Sequence, residues 1–405
     1  MYKQAINERH AKVDWVLILA LLGLMAVGIA FIHSARHVTE ASLQTPWFKQ
    51  LFFKQIIFYA VGAGAMFAIT LVDYQTIARW SLVIYWGAII ALVLVLVPFI
   101  GSKVYGARRW FDLGLFKLQP SEFAKLAFII AMAHFLSRPQ DELKEPDVFL
   151  KALGMLALPF ALIFVEPDLG SALVLLPVGL VMLFIAGAPR RFLGGLVIGS
   201  AAIVALFLVD VLFAPPNWRV KLEDYQRQRL LVYFNRDFSK YAPPDATSAD
   251  LKRLQEQQRT ASYNVAQALI SVGSGGLTGK GWQQGTQNAL GYLPRAVAHN
   301  DFIFSVIAEE SGFVGSVVVL TLYAVVLFTG IRIAGQARDR LGKLLAVGVV
   351  TLLFSHVFIN IGMNIRLMPV TGVPLPLLSY GGSSVLGSMI AAGLLQNVYL
   401  HRRSY

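Results

Sequence analysis

Ten long apolar runs, separated by mostly short polar joints, dominate this 405-residue chain and leave few folds open to it. They lie near residues 14–33, 53–72, 80–100, 121–137, 150–165, 171–188, 191–213, 313–332, 343–365 and 377–399. A helix crossing ~30 Å of hydrocarbon takes about 20 apolar residues. Lipid admits only structures that satisfy every backbone group internally. The runs therefore predict an all-α, polytopic membrane protein of about ten transmembrane helices. The fourth and fifth runs are short, and Pro159 predicts a kink in the fifth. Charged residues make up only 14% of the chain, against roughly 25% in soluble proteins. The first run follows a basic start and exceeds the about 7–15 residues of a signal-peptide core, so it reads as an uncleaved helix.

One polar stretch, roughly Ala214 to Asn300, is long enough to be a soluble loop. The organisation predicted is a single membrane domain over 1–405, with 214–300 as a large extracytoplasmic loop between spans seven and eight. Ten spans put both termini on one side. Assigning that side to the cytoplasm gathers Lys3, Arg9, Lys12, Arg138, Lys151, Arg190, Arg191, Arg338, Arg340 and Arg402 inside, as the positive-inside rule requires. The net charge of +12 thus orients spans and gives no reason to invoke nucleic acid. With no cysteine there is no disulfide, thiol nucleophile or thiolate metal site.

This orientation collects polar groups from distant stretches at the outer face: Arg108, Arg109, Glu122, Glu166, Asp168 and Asp301. Asp301 opens DFIFSVIAEESG, and it fits either a helix N-cap or a chemical role. Residues 301–312 form either a separate interfacial helix or an outward extension of span eight. Glu309 and Glu310 cannot share one helix face. Glu122 and Lys125 meet on one face at i,i+3 spacing, as a structural ion pair or as a charged wall of a site. Arg219, Arg227 and Arg229 form either a solvated basic face or a phosphate-recognition set. The run GSGGLTGKG lacks P-loop spacing. PVTGVPLPLLSYGGSS puts prolines and glycines at membrane depth, where such backbone must be buried or line a cavity. His134, His299 and His356 are scattered, with no metal-ligand spacing.

The segments GARRWFDLG, QPSEFAK, EPDLGSA, DYQRQR, SYNVAQALISVGSGGLTGKGW, DFIFSVIAEESG and GVPLPLLSYGGSS, in this order, resemble the SEDS family (shape, elongation, division and sporulation) of bacterial wall synthesis. GVPLPLLSYGGSS and YQRQR look more like the elongation branch, typified by RodA, than the division branch, typified by FtsW. The chain departs from the family before Asp301. It reads PRAVAHND where a form such as PERHTD is common, so Arg295 stands for the Glu and Asn300 for the Thr. A charged insertion also lies around Ser248 to Thr260.

The resemblance implies a peptidoglycan glycosyltransferase that polymerises lipid II during cell elongation, in the bacterial inner membrane. It makes Asp301 the essential acid and Glu122–Lys125 the functional pair of span four. Asp301 is then the expected catalytic base toward the acceptor sugar's 4-hydroxyl. The expected substrate-binding residues are Arg109, Glu122, Lys125, Asp168, Arg227, Arg229, Gln267 and Ser379. A divalent cation could assist the diphosphate, although the sequence shows no compact ligand set. Membrane lipids surround the spans, and the resemblance implies a class B penicillin-binding protein as transpeptidase partner. The competing expectation is a flippase for the lipid-linked precursor, since charged and Pro/Gly-broken spans suit transporters too.

Overall fold

The computed structural model describes residues 13–37, 46–104, 107–114, 116–139, 141–213, 224–241, 247–293 and 298–403. Among them, ten apolar helices stand where the ten runs predict. They are α1 (Trp15–His37), α2 (Leu51–Thr70), α4 (Ser81–Leu96), α5 (Pro120–Leu136), α6 (Pro146–Val165), α7 (Leu169–Ala186), α8 (Arg190–Phe213), α12 (Ile303–Gln336), α13 (Arg340–Asn364) and α14 (Gly382–Leu400). The short α3 (Tyr74–Arg79) precedes α4. Eight of the ten are long and apolar enough to cross a membrane, and α4 and α5 fall just short at 16 and 17 residues. The chain is a multi-pass membrane protein. The fifth span is not short, contrary to expectation. Pro146 occupies the first turn, where its missing N–H costs nothing, and the helix runs 20 residues through Pro159.

Two further departures matter for the site. The joint between α4 and α5 holds a small antiparallel sheet, which an all-α reading omits: β1 (Ser102–Val104), β2 (Ala107–Asp112) and β3 (Lys117–Leu118). Lys103 pairs with Arg108, and Asp112 with Lys117. The described part of the stretch between α8 and α12 is mostly helical, with α9 (Asp224–Tyr233), α10 (Ser248–Ser274) and α11 (Thr286–Ala289). The charged insertion is the start of α10, fixed by a capping box in which Thr247 and Asp250 bond reciprocally.

The two ends of the bundle differ. At one end Arg332 pairs with Asp14, and Asp339 accepts from Tyr74 Oη (2.9 Å) and Gln75 Nε2 (3.0 Å). Asn397 donates there to the carbonyls of Ile69 and Val72. The first and last described residues share this end. At the other end, the non-helical stretch between α13 and α14 is largely buried from Thr371 to Ser379 and tied at several points. Tyr59 and Tyr323 donate to the carbonyls of Leu377 and Pro376, each at 2.5 Å. Asn360 Nδ2 donates to Val373 O (2.8 Å). Every such bond replaces a contact that lipid cannot supply.

The α12 span is two helices. Gly312 has φ 66° and ψ −160°, which separates Ile303–Ser311 from the membrane-crossing remainder. An added Cβ there would lie 2.3 Å from Gly279 N and 2.7 Å from Leu277 O, so the glycine-rich loop packs directly into the break. The expectation of a separate short helix holds over the extension of span eight.

Candidate functional site

Asp301 lies in the turn that leads into the short helix. The N-cap of α12 is Phe302, and the helix has no side-chain cap hydrogen bond. The capping role open to Asp301 in sequence is therefore not the one it plays. Its backbone is held instead: the carbonyl accepts from Asn360 Nδ2 and Asn364 Nδ2, both at 3.1 Å. Ser305 Oγ donates to Asn364 Oδ1 at 2.6 Å, and Ser379 Oγ donates to Asn300 O at 2.6 Å. The carboxylate is thus positioned without being consumed by the fold. It borders a cavity of about 180 Å³ shared with Arg229, Tyr233, Asn264, Phe302 and Met368.

Charge surrounds this carboxylate. A Cβ on Gly372 would sit 3.6 Å from Asp301 Oδ2 and 3.7 Å from both Arg229 Nη atoms, so one point of the buried loop faces both groups. Arg229 Nη1 donates to Thr371 O at 3.0 Å, which anchors α9 to that loop. Arg109, on β2, donates from Nε to Glu166 O at 2.9 Å and from Nη2 to Pro167 O. Asp168 accepts from Gln119 Nε2 (2.9 Å) and from its own helix at Ser171 N (3.2 Å). Burial raises the Asp301 carboxyl above its ordinary range; Arg229 pulls it down, Asp168 pushes it up and Arg109 pulls it down.

The other predicted residues are placed differently. Glu122 and Lys125 do pair, at 2.8 Å, but both are buried within the helices. Lys125 Nζ also contacts His356 Nε2 at 2.8 Å, a partner that no spacing along the chain pointed to. Ser379 serves the buried loop, accepting from Leu375 N at 2.8 Å as it donates to Asn300 O. Arg227 and Gln267 are half-buried on α9 and α10, and neither borders the Asp301 cavity. Glu309 binds Lys280 Nζ (2.6 Å) and Gln287 N (2.9 Å), while Glu310 accepts from Ser34 Oγ and Gln283 N. Both glutamates thus clamp the glycine-rich loop and α1. Arg219 and Arg295 fall outside the described residues. Among the described residues no group of three His, Asp or Glu side chains could hold a metal ion. The pair Asn360 and Asn364, one turn apart in an apolar span, was the overlooked signal for what holds position 301.

Residues 14–404 match the FtsW/RodA/SpoVE family, described as cell cycle proteins. The chain is 35% identical over 392 residues to the peptidoglycan glycosyltransferase MrdB of Escherichia coli, covering 96% of this chain and 94% of the relative. It is 37% identical over 405 residues to stage V sporulation protein E of Bacillus subtilis, covering 98% and 100%. A solved chain from a peptidoglycan synthase complex that coordinates polymerization and crosslinking superposes with a TM-score of 0.75 at 27% identity, over 97% of this chain and 99% of that one. The rod shape determining protein RodA of Thermus thermophilus superposes at 0.65 and 26%, over 97% and 98%. The likeness to the elongation branch accords with the MrdB and RodA matches, and the chain belongs to the FtsW/RodA/SpoVE family, the SEDS proteins.

Proposed function

We propose that this protein is a peptidoglycan glycosyltransferase that polymerises lipid II during cell elongation, with Asp301 as its general base. The observation that carries the reading is a carboxylate that caps no helix yet borders a cavity beside an arginine. Asp301 takes the proton from the 4-hydroxyl of the acceptor sugar as that oxygen attacks the anomeric carbon of the donor. The bond from that carbon to the diphosphate oxygen breaks, and the polyprenyl diphosphate leaves. Burial strengthens the carboxylate as a base, provided it is ionised when substrate binds. Arg229 and Arg109 offset the charge that develops on the leaving diphosphate, and Asp168 with Gln119 orients the wall beside them.

The whole chain acts as one membrane domain, with residues 214–300 forming the extracytoplasmic loop. Both termini face the cytoplasm, and the Asp301 end faces the periplasm or exterior. This follows from the cation distribution. Glu122, Lys125 and His356 form a buried brace beneath the site, whereas Arg227, Gln267 and Ser379 act on substrate through the loop and the segment before α14. The partner is a class B penicillin-binding protein, in keeping with the synthase complex that the fold resembles.

The test is glycan polymerisation from purified lipid II by the reconstituted protein. Asp301→Ala abolishes polymer, with protein level and melting behaviour retained. A normal rate in that variant sinks the base assignment. Lipid II translocation without any polymer would instead mark a flippase.

A further inference from the structure

Glu166 immediately follows α6 and is completely buried. Neither of its carboxyl oxygens has a hydrogen-bond partner among the described residues. Its surroundings give it no structural duty as an anion. A negative charge at a helix C-terminus opposes the helix dipole. The nearest guanidinium, Arg109, directs Nε and Nη2 to the backbone carbonyls of Glu166 and Pro167. Asp168, two residues on, is engaged by Gln119 and by the amide of Ser171. An ionised carboxylate buried without hydrogen bonds is among the least favourable groups a protein can hold, and taking up a proton relieves it. Burial, then the Asp168 charge, push the Glu166 carboxyl up to about 9 against the pull of Arg109.

We propose that Glu166 works as an un-ionised carboxylic acid, a positioning residue that spares the Arg109–Asp168–Asp301–Arg229 cluster a third negative charge and so keeps it receptive to an anionic diphosphate. With Glu166 neutral, two carboxylates face two guanidiniums. Ionising it tips the cluster negative beside the arginine that faces the leaving group. The inference rests on the glycosyltransferase reading above, and it adds how that site tolerates a polyanionic substrate.

The experiment measures KM and kcat for lipid II with the purified full-length protein from neutral to alkaline pH. For the wild type, KM rises by about fivefold as pH passes the Glu166 transition, the effect expected of one added charge near the substrate. Glu166→Gln, a neutral carboxamide of the same shape, supports turnover at neutral pH and loses that alkaline rise in KM. A second measurement needs no activity. The infrared difference spectrum of wild type minus Glu166→Gln carries the C=O stretch of a protonated carboxyl at neutral pH, lost above about 9. An unchanged alkaline KM rise in the variant, loss of turnover in folded Glu166→Gln at neutral pH, or absence of that infrared band each overturns the proposal. Normal polymerisation by Asp301→Ala would overturn the base assignment instead, and the infrared result stands apart from it.

Discussion

Replacing Glu166 by Gln makes this protein more stable, by an amount that grows with pH. The Glu166 carboxyl moves from its ordinary 4.5 in the unfolded chain to about 9 in the fold. Because the folded value is the higher one, its contribution to stability is fully present below about 4.5, shrinks as pH rises, and is gone once pH has passed through about 9. The span of 9 − 4.5 = 4.5 units corresponds to ~6 kcal/mol at 1.36 kcal/mol per unit. Slightly more than half of that interval lies below neutrality, so wild type has forfeited ~3 kcal/mol at neutral pH. Gln ionises in neither state and carries no such slope. Its amide is as unpartnered as the carboxyl it replaces, which makes any remaining difference a constant offset. Thermal unfolding of both proteins in one detergent, across acid to mildly alkaline buffers, reads the gap between their midpoints. A gap that widens with pH is expected. Parallel curves would show a Glu166 carboxyl that folding does not raise, a gap that narrows as pH rises would show it ionised and paired, and either would refute the reasoning.

Other perturbations probe the rest of the site. Lys125→Met leaves the buried Glu122 and His356 without their shared partner and costs about 3–5 kcal/mol, whereas Glu122→Gln combined with Lys125→Met recovers much of it; a double-mutant cycle on melting midpoints measures the coupling. Gly312→Ala forces a Cβ into the backbone of the glycine-rich loop and strains a positive φ, so purified protein melts several degrees lower and loses polymerase activity. The acid limb of kcat/KM lies above the ordinary carboxylate range, since a protonated Asp301 cannot accept the hydroxyl proton. Arg229→Gln moves that limb to higher pH by removing the strongest pull on Asp301, and a pH–rate profile reads the shift.

The spans were legible because lipid enforces length and apolarity together, and nothing in the chain disguises either. Asp301 was legible as an acid opening an apolar segment, but not its freedom from capping, because that depends on where the helix begins and Phe302 takes the cap. The Glu122–Lys125 pair followed from i,i+3 spacing on one helix. His356 could not, since it meets Lys125 from a helix more than 230 residues away. The sheet at Arg108 and Arg109 escaped notice because its strands are 3, 6 and 2 residues long, too short for an alternating pattern. The carbonyls that Arg109 grips belong to a turn after α6, and only tertiary contact brings the two together. Glu309 and Glu310, adjacent and so on different helix faces, both proved to be anchors, Glu309 to Lys280 and Gln287 and Glu310 to Ser34 and Gln283.

That break severs Asp301 from the membrane span it precedes in sequence. Residues 303–311 behave as a strut whose far end is pinned by Ser34, Lys280 and Gln283, while asparagines of α13 grip the carbonyl at 301. The position of the Asp301 carboxylate is therefore inherited from three remote stretches of chain. A shift of about 1 Å in an attacking geometry slows chemistry on the order of a hundredfold. Lesions at the tip of the first helix or in the glycine-rich loop are thus expected to cost turnover by displacing position 301.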